Sequence, residues 1–171
     1  MRNTLHTFLA VLLGALAAIL PAPRAHAEGP TFYIELQSLV EGAPFTGRIT
    51  IYLRGDGARV DKRLSPADAP YFDDPQPMYS MAVKDIKPGD QFKFVDELSF
   101  PAPLKDLPPG RYMVQAVLDV SDKHSSWRQE EGNLAAPTRI FIHDPANPPV
   151  VQLPLLNNYP APVLDTPLSR Q

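Results

Sequence analysis

This chain of 171 residues predicts an all-β fold, and three observations carry the prediction. Apolar residues recur at every second position in several short runs, the pattern of strands with one buried face. Apart from a turn around residues 101–107, nothing beyond the N-terminal segment sustains apolar spacing of three and four over the ten or more residues a helix needs. The chain also carries 21 Pro and 9 Gly, which cluster between the runs and mark turns. With 44% hydrophobic and 20% charged residues, the composition is that of one folded globular domain and excludes a disordered chain.

The first segment reads as an address. Arg2 gives a positive start, residues 8–20 are uninterrupted apolar, and Pro21-Ala22-Pro23 breaks the run before Ala25-His26-Ala27. That order predicts a secretory signal peptide, residues 1–27, with an A-x-A cleavage site. The apolar run is well short of the ~20 residues that cross a bilayer, so no membrane association is expected after cleavage. The expected location is exported, periplasmic or extracellular.

Residues 28–155 are expected to form the folded domain. Residues 31–40 alternate, with Phe32, Ile34 and Leu36 opposite Tyr33, Glu35 and Gln37. Residues 46–54 place Ile49, Ile51 and Leu53 on one face and Arg48, Thr50 and Tyr52 on the other, ending at a Gly55-Asp56-Gly57 turn. Pro66, Pro70 and Pro75 then interrupt any ladder, because proline lacks a donor, and a long connection is expected. Residues 78–86, 91–95, 111–120, 138–143 and 150–155 read as further strands. The best is 111–120, where Tyr112, Val114, Ala116 and Leu118 share one parity behind a Pro108-Pro109-Gly110 turn. About seven short strands suit an immunoglobulin-like antiparallel β-sandwich, with a closed eight-stranded barrel or a jelly roll as the alternative. Residues 156–171, with Pro160, Pro162 and Pro167, read as a proline-rich tail or linker.

Charge and cysteine content narrow the function. Without residues 1–27, which carry Arg2 and Arg24, 14 Lys and Arg face 19 Asp and Glu, a net charge of −5. That balance lacks the clustered basic face that nucleic acid or an anionic membrane would need. With no Cys, an exported domain must hold together by burial, which 144 residues can supply.

Catalytic signatures are missing. No Gly stands two residues before a Ser, so the G-x-S-x-G nucleophile elbow is absent. Asp122, His124, Ser125 and Ser126 are too close in sequence for the opposed geometry of a triad. His124 and His143, without Cys, are too few for zinc, and no metal or other cofactor is expected. Met78, Met81 and Met113 raise copper as a remote alternative, but strand residues three apart face opposite sides. Arg54-Gly55-Asp56 spells an adhesion tripeptide, yet turn chemistry accounts for it. The candidate binding surface is the loop holding His124, Trp127 and Arg128. Its Trp127, the one Trp in the chain, can stack on a sugar ring or a partner's apolar patch.

Five stretches occur in a fixed order: Phe45-Thr46-Gly47-Arg48-Ile49-Thr50-Ile51-Tyr52-Leu53, Ile86-Lys87-Pro88-Gly89-Asp90, Phe100-Pro101-Ala102-Pro103-Leu104, residues 107–119 from Leu107-Pro108-Pro109-Gly110-Arg111-Tyr112 onward, and Gly132-Asn133-Leu134. Together they resemble the N-terminal immunoglobulin-like β-sandwich of secreted bacterial esterases, which precedes an enterochelin-esterase-like α/β-hydrolase domain. The resemblance spans roughly residues 31–155 and departs at Ala135-Ala136, where the family has a Tyr-Ser pair. It implies an exported, non-catalytic accessory or binding domain whose partner is a hydrolase domain or a secreted substrate such as a glycan. The family's nucleophile, acid and histidine lie in the hydrolase domain, so none maps here. Two other readings are a truncated or split esterase, decided by reading neighbouring DNA for a hydrolase frame, and a periplasmic copper-binding protein.

Overall fold

Alternating apolar residues build extended strands because only a pleated backbone sends every second side chain to one face. The computed structural model describes residues 28–61, 63–68, 74–120, 127–130 and 132–157. Nine strands lie there: β1 (Thr31–Leu36), β2 (Phe45–Gly55), β3 (Met78–Ile86), β4 (Gln91–Lys93), β5 (Leu98–Phe100), β6 (Gly110–Asp119), β7 (Leu134–Ala135), β8 (Arg139–His143) and β9 (Val150–Asn157). The only helical elements among the described residues are three-residue 3-10 turns at Pro66–Asp68, Leu104–Asp106 and Trp127–Gln129. Residues 1–27, where a signal peptide is expected, His124 and residues 158–171 lie outside the described residues.

The strands form one mixed sheet in the order β4-β1-β9-β7-β6-β2-β3-β5, with β8 also paired to β6. The path ends at β4 and β5 and is not closed, so the barrel alternative is set aside. Two expectations are corrected. The sheet is not purely antiparallel, because β1 and β9 run parallel over six pairs from Thr31↔Val150 to Leu36↔Leu155. Side-chain alternation carries no direction, and a connection as long as the intervening chain permits a parallel pair. The described residues hold nine strands rather than about seven, because β5 and β7, at three and two residues, are too short to show a period.

One hydrophobic cluster collects the buried faces. Phe32, Ile34 and Leu36 of β1 and Val151, Leu153 and Leu155 of β9 meet Ile49, Ile51 and Leu53 of β2 and Val114, Ala116 and Leu118 of β6. Phe141 of β8 packs edge-on against Phe32 and stacks on Tyr112, each at 5.6 Å between ring centroids. Each such side chain contributes roughly 1.5–3 kcal/mol when fully buried. The turns are fixed by named groups: the Asp90 carboxylate accepts from the Lys87 amide at 2.7 Å, and the Gly89 amide, at φ +91°, donates to the Leu36 carbonyl at 2.7 Å.

The opposite, outward face of β2 and β6 is not uniformly solvent-exposed. Arg54 is only 5% exposed and Gln115 is buried, because residues 61 and 63–68 fold back over them, and Val117 is buried beside them. Arg54 Nη1 donates to the carbonyls of Asp61 and Leu64, and the Gln115 amide group accepts from the Ala67 backbone at 3.3 Å while donating to the Ala136 carbonyl at 3.2 Å. Arg54 is thus committed internally, which removes it from any adhesion tripeptide. This returning segment delivers Asp68 to the site.

Candidate functional site

The site is built where β6 ends. Gly132, at φ +92°, turns the chain beneath Val120, whose Cγ2 lies 3.3 Å from where a Cβ would stand. The turn is open to glycine and strained for any other residue. It sets buried Asn133 so that its Oδ1 accepts from the Val120 amide at 2.9 Å and its Nδ2 donates to the Trp127 carbonyl at 3.0 Å. One side chain thereby ties the 3-10 turn carrying Trp127 and Arg128 to the end of β6.

Asp68 fixes both side chains. Its Oδ1 accepts from Trp127 Nε1 at 3.1 Å and from Arg128 Nε at 2.9 Å, while Arg128 Nη2 and Ser65 Oγ donate to Oδ2. The Arg128 guanidinium lies 4.3 Å from the Trp127 ring centroid, a cation–π distance. Partial burial pushes the Asp68 carboxyl up, but the Arg128, Ser65 and Trp127 donors outweigh it and hold the carboxyl below its ordinary value. Arg128 is held above its ordinary value chiefly by the same hydrogen bond. Asp68 stays ionised, Arg128 is spent on orientation, and Trp127 is set in one position.

Trp127 stands on a groove of about 470 Å³ on the outward face of the sheet, lined also by Arg48, Thr50 and Tyr52 of β2 and Val117 and Asp119 of β6. Thr50 and Tyr52 continue into a second hollow of about 210 Å³ bordered by Met78, Ser80, Leu98 and Phe100. Gly47 lies at the head of the larger groove, where β6 passes so close that a Cβ would meet the Asp119 carbonyl oxygen at 2.1 Å. Burial, supplemented by the Asp119 charge and opposed by a Thr50 hydrogen bond, raises the Tyr52 hydroxyl above its ordinary value, so it stays protonated at neutral pH. Arg48 and Asp119 are register partners on neighbouring strands, and the Arg48 guanidinium also donates to Ser80 Oγ at 3.3 Å. Cation and carboxylate sit side by side, leaving the lining neutral overall.

The sequence-predicted loop residues are thus treated differently by the fold. Trp127 lines the groove, Arg128 braces it, and His124 lies outside the described residues with its neighbours Asp122, Ser125 and Ser126. Tyr52, Thr50 and Asp119 were not singled out as site residues from the sequence, although the polar parity of residues 48–52 marked Thr50 and Tyr52 as facing away from the core. Among the described residues no three His, Cys, Asp or Glu side chains converge as metal ligands. Met81 packs against the core while Met78 borders the outward hollow, so these thioethers lie on opposite faces of β3. The Met113 sulfur accepts from the Arg54 guanidinium. A scan of protein-family models and searches of curated proteins and of solved structures return no match to this chain.

Proposed function

We propose that this chain is an exported, non-catalytic accessory domain related to the N-terminal module of secreted esterases, and that its outward groove binds a neutral, hydroxyl-rich ring such as a glycan unit. The observation that carries the reading is the groove itself. Two aromatic side chains, Tyr52 and Trp127, flank Thr50 and an adjacent Arg48–Asp119 pair on a lining with no net charge. Sugar rings pack their apolar faces on aromatic side chains and direct hydroxyls to such donors and acceptors, and an ionic ligand would gain little here.

The architecture proposed is two layers, β4-β1-β9 over β8/β7-β6-β2-β3-β5, with β9 passing from one to the other. Support comes from the single cluster shared by the two sets of strands and from Tyr112, whose hydroxyl donates to the Pro108 carbonyl at 2.9 Å. A tyrosine bonded back to the backbone a few residues upstream is a recurrent corner in such sandwiches. Export is supported by the order of charge, apolar run and small residues in segment 1–27.

A glycan array probed with the purified exported chain tests the reading. Retention of neutral glycans is expected, with loss of binding in Trp127→Ala and Tyr52→Ala. In the same preparation, short acyl esters should show no turnover. Robust hydrolysis abolished by a point substitution in this chain, or glycan binding indifferent to both aromatic substitutions, contradicts the proposal.

A further inference from the structure

Among the described residues strand β8 has a neighbour on one edge alone. It pairs with β6 from Gly110↔His143 to Val114↔Arg139, whereas β9 covers only β7, through Leu134↔Asn157 and Ala135↔Leu156, after pairing with β1 through residues 150–155. Among the described residues the far edge of β8 therefore has no partner strand. Its outward face carries Ile140 at 55% and Ile142 at 68% exposure, while Phe141 and His143 point into the core. Natural sheets protect free edges with charges, prolines, bulges or a covering side chain. Elsewhere this protein does so: the Glu97 carboxylate accepts the Ala82 amide of β3 at 2.8 Å. Strand β8 carries a single charge, Arg139, and no proline within its five residues.

We infer that the free edge of β8 pairs antiparallel with β8 of a second copy of this chain, joining the sheets of two molecules. The argument for a second copy, rather than an unrelated strand, is self-complementarity. A two-fold axis perpendicular to the sheet keeps each face on its own side, so residues brought opposite one another must share a parity. Centred on Phe141, that register pairs all five residues and sets Ile140 of each copy against Ile142 of the other. Directly opposed side chains stand about 4.5–5.5 Å apart at Cβ, so each exposed isoleucine is covered by one isoleucine of the other copy. Arg139 falls opposite the core-facing His143, and no like charges meet within the strand. An edge pairing of this length buries less than the ~1,200–2,000 Å² of a standard interface, which makes it a weak dimer, on the order of tens of micromolar.

Sedimentation of the purified exported chain across concentration tests this, with Ile142→Lys as the disrupting variant. Position 142 is exposed, so the variant should keep the wild-type circular dichroism while its dimer dissociation constant rises at least about tenfold, because in both symmetry-related pairs a cation then stands against the apolar Ile140 of the other copy. The chain has no native Cys, so engineered thiols report register directly. A mixture of Ile140→Cys and Ile142→Cys chains should give an oxidised heterodimer more efficiently than Ile142→Cys gives a homodimer. A wild-type chain that remains monomeric to about 0.5 mM, far above the expected range, overturns the inference. So does a dimer that Ile142→Lys leaves intact, or a dimer seen only after removal of residues 158–171, which would assign the edge to that segment. Glycan binding is read separately, so failure of either proposal leaves the other standing.

Discussion

Asp68 is the residue on which the site turns, because one carboxylate receives Trp127, Arg128 and Ser65 together. Its lowered value in the folded protein sets the sign of a pH effect. The contribution is fully present above the unfolded carboxyl value of about 3.9 and is lost as pH falls through the lower folded one. Emission of Trp127, the one Trp, should stay constant from neutral pH to about 5 and shift toward that of exposed indole only below about 4. Asp68→Ala should produce that shift at neutral pH and cost about 1–2 kcal/mol, since the partners are partly solvated. Emission unaffected by Asp68→Ala would detach Asp68 from Trp127. His143 presents the opposite case: it is 2% exposed and, among the described residues, neither ring nitrogen has a hydrogen-bond partner. His143→Phe should raise the unfolding free energy in urea by about 1 kcal/mol, because an unsatisfied buried polar group is removed. A destabilised variant would show that the imidazole is bonded in solution. At Gly47 a side chain would strike backbone rather than a movable side chain, so Gly47→Ala should cost about 2 kcal/mol or more and shift the thermal midpoint accordingly.

The segment between β2 and β3 matters more than its length suggests. Arg54 holds the Asp61 and Leu64 carbonyls, and that crossing positions Asp68 for the site. Arg54→Leu should cost about 2–3 kcal/mol through the unpaired carbonyls and lost charge-assisted bonds. It should also speed amide exchange at Leu64 and Asp68 and perturb Trp127 emission; protection and emission both unchanged would contradict the coupling. These features explain what the sequence exposed and what it concealed. Residues 31–36, 49–53 and 112–118 announced their strands because alternation is a local consequence of burying one face. Arg54 and Gln115 share the outward parity and read as solvated, since no local pattern reveals that residues 61 and 63–68 return to cover them. Strands β5 and β7 carry too few residues for a period, and the β1–β9 pairing depends on residues more than a hundred positions apart.

At the scale of the molecule, sequence reasoning placed Trp127 and Arg128 in a binding loop but had no means to assign them different tasks. That division follows from Asp68, about sixty residues earlier, and from β2, whose Tyr52 completes the groove. Three of the five ordered stretches that carry the resemblance acquire physical roles here. Gly47 admits the close passage of β6, the turn around Gly89 and Asp90 ties β1 to β4, and Asn133 fastens the Trp127 turn. Each serves the scaffold, and the groove is what the scaffold leaves open. The central claim is that this groove engages a neutral ring ligand, and backbone amide chemical-shift mapping with neutral oligosaccharides tests it most directly. Saturable shifts concentrated at Thr50, Tyr52, Val117 and Trp127, absent in Trp127→Ala, are predicted. Shifts confined to another face, or none at all across the neutral set, would contradict it.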